Sequence, residues 1–149
     1  MAFLDELKDQ LLFDYQNEFY HERGTGGKYR LVLAGTELFE KRLKDPSSVQ
    51  EVVELFQREH LAEDVSFFED EFQINEEVHN CVFRPLCARF LAIGIQPMCC
   101  PLTNALMRAI ELKTGLSPEM LPVSQEGEIC KVGLGKMGND NVVDSKGVF

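Results

Sequence analysis

Tryptophan is absent from this chain, histidine occurs only three times, and bases are outnumbered by acids, 15 to 25. The formal charge of −10 leaves no basic stripe to track a phosphate backbone, so nucleic acid is not an expected partner. No apolar run reaches the roughly 18 residues that a membrane span needs. The start, Met1-Ala2-Phe3-Leu4-Asp5, lacks the basic and apolar regions of a signal peptide, so the expected location is cytoplasmic. No C-x-x-C pair is present, and five cysteines are an odd number for a disulfide framework. Lys28 follows Gly24-Thr25-Gly26-Gly27, but the spacing of a phosphate loop is missing and no strand precedes it.

What is present is enough for one domain. The chain has 149 residues, 44% of them hydrophobic, and a chain of that length buries about 70% of its unfolded surface. Charge is uneven: residues 1–80 carry 19 acids and 8 bases, whereas residues 81–149 carry 6 and 7. All five cysteines, Cys81, Cys87, Cys99, Cys100 and Cys130, fall in the second part.

Periodicity then gives the elements. Leu4, Leu7, Leu11, Tyr15 and Phe19 recur at helical spacing and predict a helix over 2–20. A second helix is expected over 29–44, with Gly35 inside it, either for a close helix contact or without meaning. Ser48 followed by Glu51 fits a capping box, opening a helix to about residue 60. Alternation predicts a strand over 65–74, a turn at Asn75-Glu76, and a returning strand over 77–83 with His79, Cys81 and Phe83 on one face. Helices are expected over 86–93 and 101–114, with Pro101 in a first turn and Gly115 as a C-cap. A last strand follows over 128–134. The expected fold is α+β, an antiparallel sheet covered by helices, in a single domain over 1–137. Residues 1–44 form its N-terminal helical pair, and 138–149 form a flexible tail.

Cysteine is the residue type most open to chemistry here. Thiolates are soft ligands for zinc or iron–sulfur centres, which makes Cys81, Cys87, Cys99, Cys100 and Cys130 metal candidates. Buried cysteine also serves as a small core hydrophobe, and spacing leaves both readings open. Cys99 and Cys100 precede a helix, whose N–H groups and dipole favour a thiolate, so they are the catalytic candidates if the protein is an enzyme. His21 and His60 fall at predicted helix ends, and no Cys–His pair follows from spacing. The run from Glu59 to Glu77 holds eight acids and no base; a metal site or a docking surface for a basic partner is open, and the favoured reading is a solvated strand edge. Phe83, Phe90, Leu102, Leu106 and Ile110 are candidate walls of an apolar ligand pocket. Arg89 or Arg108 could anchor a ligand carboxylate, and each could equally be a surface charge.

The stretch 48–137 resembles the 4-vinyl-reductase-type domain, also described as a hydrocarbon-binding domain. The similarity lies in the hairpin around 65–83, in Cys87-Ala88-Arg89-Phe90-Leu91-Ala92-Ile93-Gly94, in the helix over 102–114, and in Glu128-Ile129-Cys130-Lys131-Val132-Gly133. It implies the fold of small transport-particle subunits and a small apolar ligand, in sensing or in tetrapyrrole pigment metabolism. It also implies zinc held by cysteines and an acid in some relatives, although a further cysteine common in the family is missing between Gly135 and Gly138. Pairing with a second copy or a similar fold is implied as well, and the face of Leu4, Leu7 and Leu11 could serve it. The first functional expectation is thus a binding module for an apolar or haem-like tetrapyrrole ligand with thiols near the site. The alternatives are a cysteine-thiolate reductase or hydrolase and an assembly factor acting by dimeric contacts.

Overall fold

A computed structural model describes residues 2–24, 31–97 and 100–136. Cys99, Lys28 and the tail over 138–149 lie outside the described residues. The described residues form five helices and an antiparallel sheet of five strands. The helices are α1 (Phe3–Arg23), α2 (Thr36–Arg42), α3 (Val49–Arg58), α4 (Arg84–Ala92) and α5 (Pro101–Thr114). The strands are β1 (Asp64–Glu69), β2 (Gln73–His79), β3 (Glu119–Met120), β4 (Ser124–Glu126) and β5 (Ile129–Gly135). The expected α+β class is what the structure has.

Local chemistry sets several boundaries. Ser48 Oγ accepts from Glu51 N at 3.2 Å and starts α3. The Glu51 carboxylate accepts from Lys44 N and Asp45 N, each at 3.1 Å, so it ties down the preceding loop rather than its own N-cap. Gly115 ends α5 with φ 78, its N–H donating to Glu111 O at 2.8 Å. The helix expected over 29–44 is interrupted: residues 32–35 are turn, and α2 begins only after Gly35 at φ 84. A Cβ on Gly35 would sit 4.0 Å from Pro101 Cβ, an ordinary contact, so the left-handed backbone rather than close packing calls for glycine.

The hairpin turn also differs from expectation. It lies at Asp70–Phe72, because Asp70 Oδ1 accepts from Phe72 N and Gln73 N, both at 2.8 Å. Those bonds hold the Asp70 carboxyl below its usual pKa. Glu76 is therefore mid-strand, not in a turn. β2 stops at His79, Asn80 takes φ 51, and Cys81 and Phe83 leave the strand instead of sharing a face with His79.

β2 and β5 are the centre of the sheet, paired from Gln73↔Gly135 to His79↔Ile129. β1 pairs with the free side of β2, and β3 and β4 share the far side of β5. Glu119 pairs with Gly135 and Ser124 with Lys131, so the register slips by one residue between β3 and β4. Pro122, which has no N–H to give, lies in that bulge. Leu121 there folds over Gly133, where a Cβ would meet Leu121 Cδ1 at 3.1 Å.

One face of the sheet carries Val65, Ile74, Val78, Cys130, Val132 and Leu134 into the core against Val52 and Phe56 of α3 and Leu102, Leu106 and Ile110 of α5. Asn104 of α5 donates to Leu31 O at 2.9 Å and Ala34 O at 3.2 Å, pinning the turn before α2. α1 lies outside this core and meets α4 through Phe13, whose ring stacks on Phe90 at 4.6 Å.

Candidate functional site

The inward face of β2 reads Ile74, Glu76, Val78, and all three are buried. Alternation alone forces Glu76 inside once its neighbours two residues away are aliphatic core. Glu76 retains 1% of its exposure, and neither carboxyl oxygen has a hydrogen-bond partner. Thr103, in the first turn of α5, is equally buried, and its Oγ1 is also unpartnered. Thr103 lies near enough to Glu76 to favour the charged carboxylate, yet the two do not reach hydrogen-bond geometry. Burial outweighs this and pushes the Glu76 pKa up to about 8. At neutral pH the group is thus mainly a carboxylic acid, which carries one O–H donor as well as acceptor capacity.

Three thiols lie within electrostatic range of Glu76. Cys130 stands on the same inward face, paired with Val78, while Glu76 pairs with Val132. Cys100 is the N-cap of α5 and is buried. Cys81 follows β2, half-buried, with its Sγ accepting from Phe83 N at 3.3 Å. Burial pushes Cys81 and Cys130 up to about 12, and the charges of Cys100 and Glu76 add to both shifts. Cys100 also moves up, first by burial and then by the charge of Glu76.

These shifts run against an activated thiolate at the described cysteines of the cluster. The N–H groups of Leu102 and Thr103 do favour a Cys100 thiolate, as a helix start should. Desolvation is larger, so Cys100 remains a thiol near neutral pH. Its catalytic companion Cys99 lies outside the described residues.

Of the cysteines expected to gather, Cys81, Cys100 and Cys130 do so, whereas Cys87 is buried separately on α4. Among the described residues, no group of three or more His, Cys, Asp and Glu side chains is arranged to hold a metal ion. The described cysteines and Glu76 therefore do not fit the zinc centre that the resemblance implies.

The expected ligand walls are packed into the body. Leu102, Leu106 and Ile110 are part of the central core, and Phe83 packs against it half-buried. Phe90 is spent on Phe13. The two arginines are engaged as well. Arg108 Nε lies 2.7 Å from Glu40 Oε1, and its Nη1 lies 3.0 Å from Glu111 Oε1. The Arg89 guanidinium sits 3.9 Å from the Phe13 ring centroid and donates to Gln10 Oε1 at 3.3 Å. Arg108 does border an open cleft of about 380 Å³, together with Val32, Leu33, Met107 and Pro118. A second cleft of about 400 Å³ lies between Gln73, Asn75, Glu77, Lys131 and the Leu121–Pro122 loop.

Glu76 and Thr103 were not singled out by sequence reasoning. The signal was there: an acid flanked at period two by Ile74 and Val78. It was masked by the surrounding acidic run, whose other described members are not buried. No described helix is long and apolar enough to cross a membrane. Compared with known proteins, the chain matches no family model, no curated protein and no solved structure, so the 4-vinyl-reductase-type resemblance rests on sequence pattern alone.

Proposed function

We propose that this protein is a small-molecule-binding domain whose site is centred on Glu76 and Thr103. The observation that carries this reading is the set of three buried, unpartnered oxygens, two on Glu76 and one on Thr103. Burying such groups without partners costs about 1–3 kcal/mol each, so their retention calls for a partner from outside the chain. A neutral carboxyl beside a hydroxyl offers adjacent donors and acceptors. Valines and thiols around them offer soft, apolar contact. The ligand class that fits is a largely apolar molecule with one amide-like or pyrrole-like polar edge, and tetrapyrroles belong to it. Cys81, the half-buried member of the cluster, marks the side nearest solvent. The raised thiol pKa values weigh against the alternative of a cysteine-thiolate enzyme.

Native mass spectrometry of the protein as expressed, together with titration by protoporphyrin IX, tests this reading. The expected result is a non-covalent adduct or porphyrin uptake in the wild type that is lost in Glu76→Leu. That variant keeps the volume, removes the polar atoms, and should be at least as stable as the wild type. A folded Glu76→Leu protein that holds adduct or porphyrin as well as the wild type would overturn the assignment, as would a wild type with neither.

A further inference from the structure

Helix α1 meets α4 on one side and, among the described residues, carries an exposed apolar row on the other. At 100° per residue, Phe13, Gln16 and Tyr20 share one side. That side is the docked one: Phe13 stacks on Phe90 and Gln16 is buried. Leu4, Leu7, Leu11 and Tyr15 fall on the opposite side, and they are 57%, 40%, 37% and 69% exposed. They form one row about 16 Å long, at the i, i+3, i+7 spacing by which one helix presents anchors to another. An apolar stripe this regular, aimed away from the body, is unusual on a helix that has already packed its other side.

Charge identifies what fits the stripe. Beyond Tyr15 the same side continues as Glu18 and Glu22, and Asp14 flanks it; the bases nearby are Lys8 beside the row and Arg23, whose Nε lies 3.7 Å from Glu22 Oε1, so acids still outnumber them. The chain as a whole carries −10. A second copy would bring its own acids against these, an arrangement that like-charge repulsion disfavours. We propose that the outward face of α1 docks a basic amphipathic helix of another protein. The partner's apolar row would cover Leu4, Leu7, Leu11 and Tyr15, and its Lys or Arg side chains would meet Asp14, Glu18 and Glu22. This surface is separate from the Glu76 site and stands independently of it.

The test uses three synthetic peptides of 18 residues each (a length that spans the row and its acidic end at 1.5 Å per residue). One is a Leu/Lys amphipathic helix, one has the same composition with its order scrambled to destroy the amphipathic face, and one replaces Lys by Glu. Binding to the full chain is followed by fluorescence anisotropy, and the oligomeric state by analytical ultracentrifugation. The expected result is a monomer that binds the Leu/Lys helix at least about tenfold more tightly than either control. Leu7→Gln/Leu11→Gln should remove that preference while leaving the thermal midpoint in place. Equal binding of the scrambled peptide, or equal binding by the double variant, would overturn the proposal. A dimer that the same double variant dissolves would also overturn it, because the occupant would then be a second copy.

Discussion

Helices α1 and α5 have comparable apolar content but opposite fates. α5 buries eight of its 14 residues, Leu102 through Met107 with Ala109 and Ile110. α1 has 21 residues and buries one of them, the polar Gln16. α1 is the more charged of the two, but position adds to the difference. α5 lies across the sheet, where Ile74, Val78, Val132 and Leu134 meet it, whereas α1 touches the body through α4. Helical stability in proteins comes largely from packing of an apolar face, so α5 should be integral to the cooperative fold and α1 an appendage to it. The contrast also separates the two proposed roles: Glu76 faces α5 in the interior, and the docking stripe faces outward on α1.

The largest expected effect lies on α5. Leu106 is fully buried in the central cluster, and Leu106→Ala should cost about 2–5 kcal/mol through lost transfer energy and a residual cavity. Urea denaturation followed by far-UV circular dichroism measures it. A cost below about 1 kcal/mol would mean that α5 is not tightly packed and that its contrast with α1 is false.

The next effect belongs to Glu76 and has a definite sign. Its folded pKa, about 8, lies above the ordinary 4.5. The folded state thus keeps a proton that the unfolded state releases. The corresponding stability is fully present below pH 4.5 and is lost as pH rises towards 8. The slope in that window is about 1.4 kcal/mol per pH unit. Glu76→Gln removes the titration, so its stability should be nearly flat over the same window and exceed that of the wild type at its upper end. Urea midpoints taken at intervals from acid to pH 8 test this, and parallel curves for the two proteins would show that Glu76 is not desolvated as described. The thiols do not confuse the result, because burial moves Cys81, Cys100 and Cys130 upward, above the ordinary 9.

Local rules made much of the framework legible. Ser48 and Glu51 announced α3, Pro101 and Gly115 bracketed α5, and the period of Leu4, Leu7 and Leu11 announced α1. The hairpin was misplaced because Phe67, Phe68 and Phe72 continue an apolar pattern through a turn that depends on one side-chain oxygen of Asp70. β3 and β4, of two and three residues, are too short to show any period and exist because β5 offers them an edge. The site was harder still. Helical spacing tells which residues share a side, but not whether that side meets a neighbour, so the face of Leu4, Leu7 and Leu11 was open to a pairing role only through the resemblance. The convergence of Cys81, Cys100 and Cys130 on Glu76 depends on the pairing of β2 with β5 and on where α5 starts, neither of which is a local property.

The smallest effect is predicted on α1, and it tests the comparison most closely. Leu11 is 37% exposed on the outward row, and glutamine is close to leucine in helix propensity. Leu11→Gln should therefore change stability by no more than about 0.5 kcal/mol, the range of surface substitutions that break no packing. The chemically identical change Leu106→Gln would bury an unpartnered amide in the core and should prevent folding or nearly so. Paired thermal melts of the two variants set these sites against each other with substitution chemistry held constant. If Leu11→Gln lowered the midpoint of the isolated chain as a core change does, the row would already be covered in solution, and α1 would belong to the fold rather than to an interface.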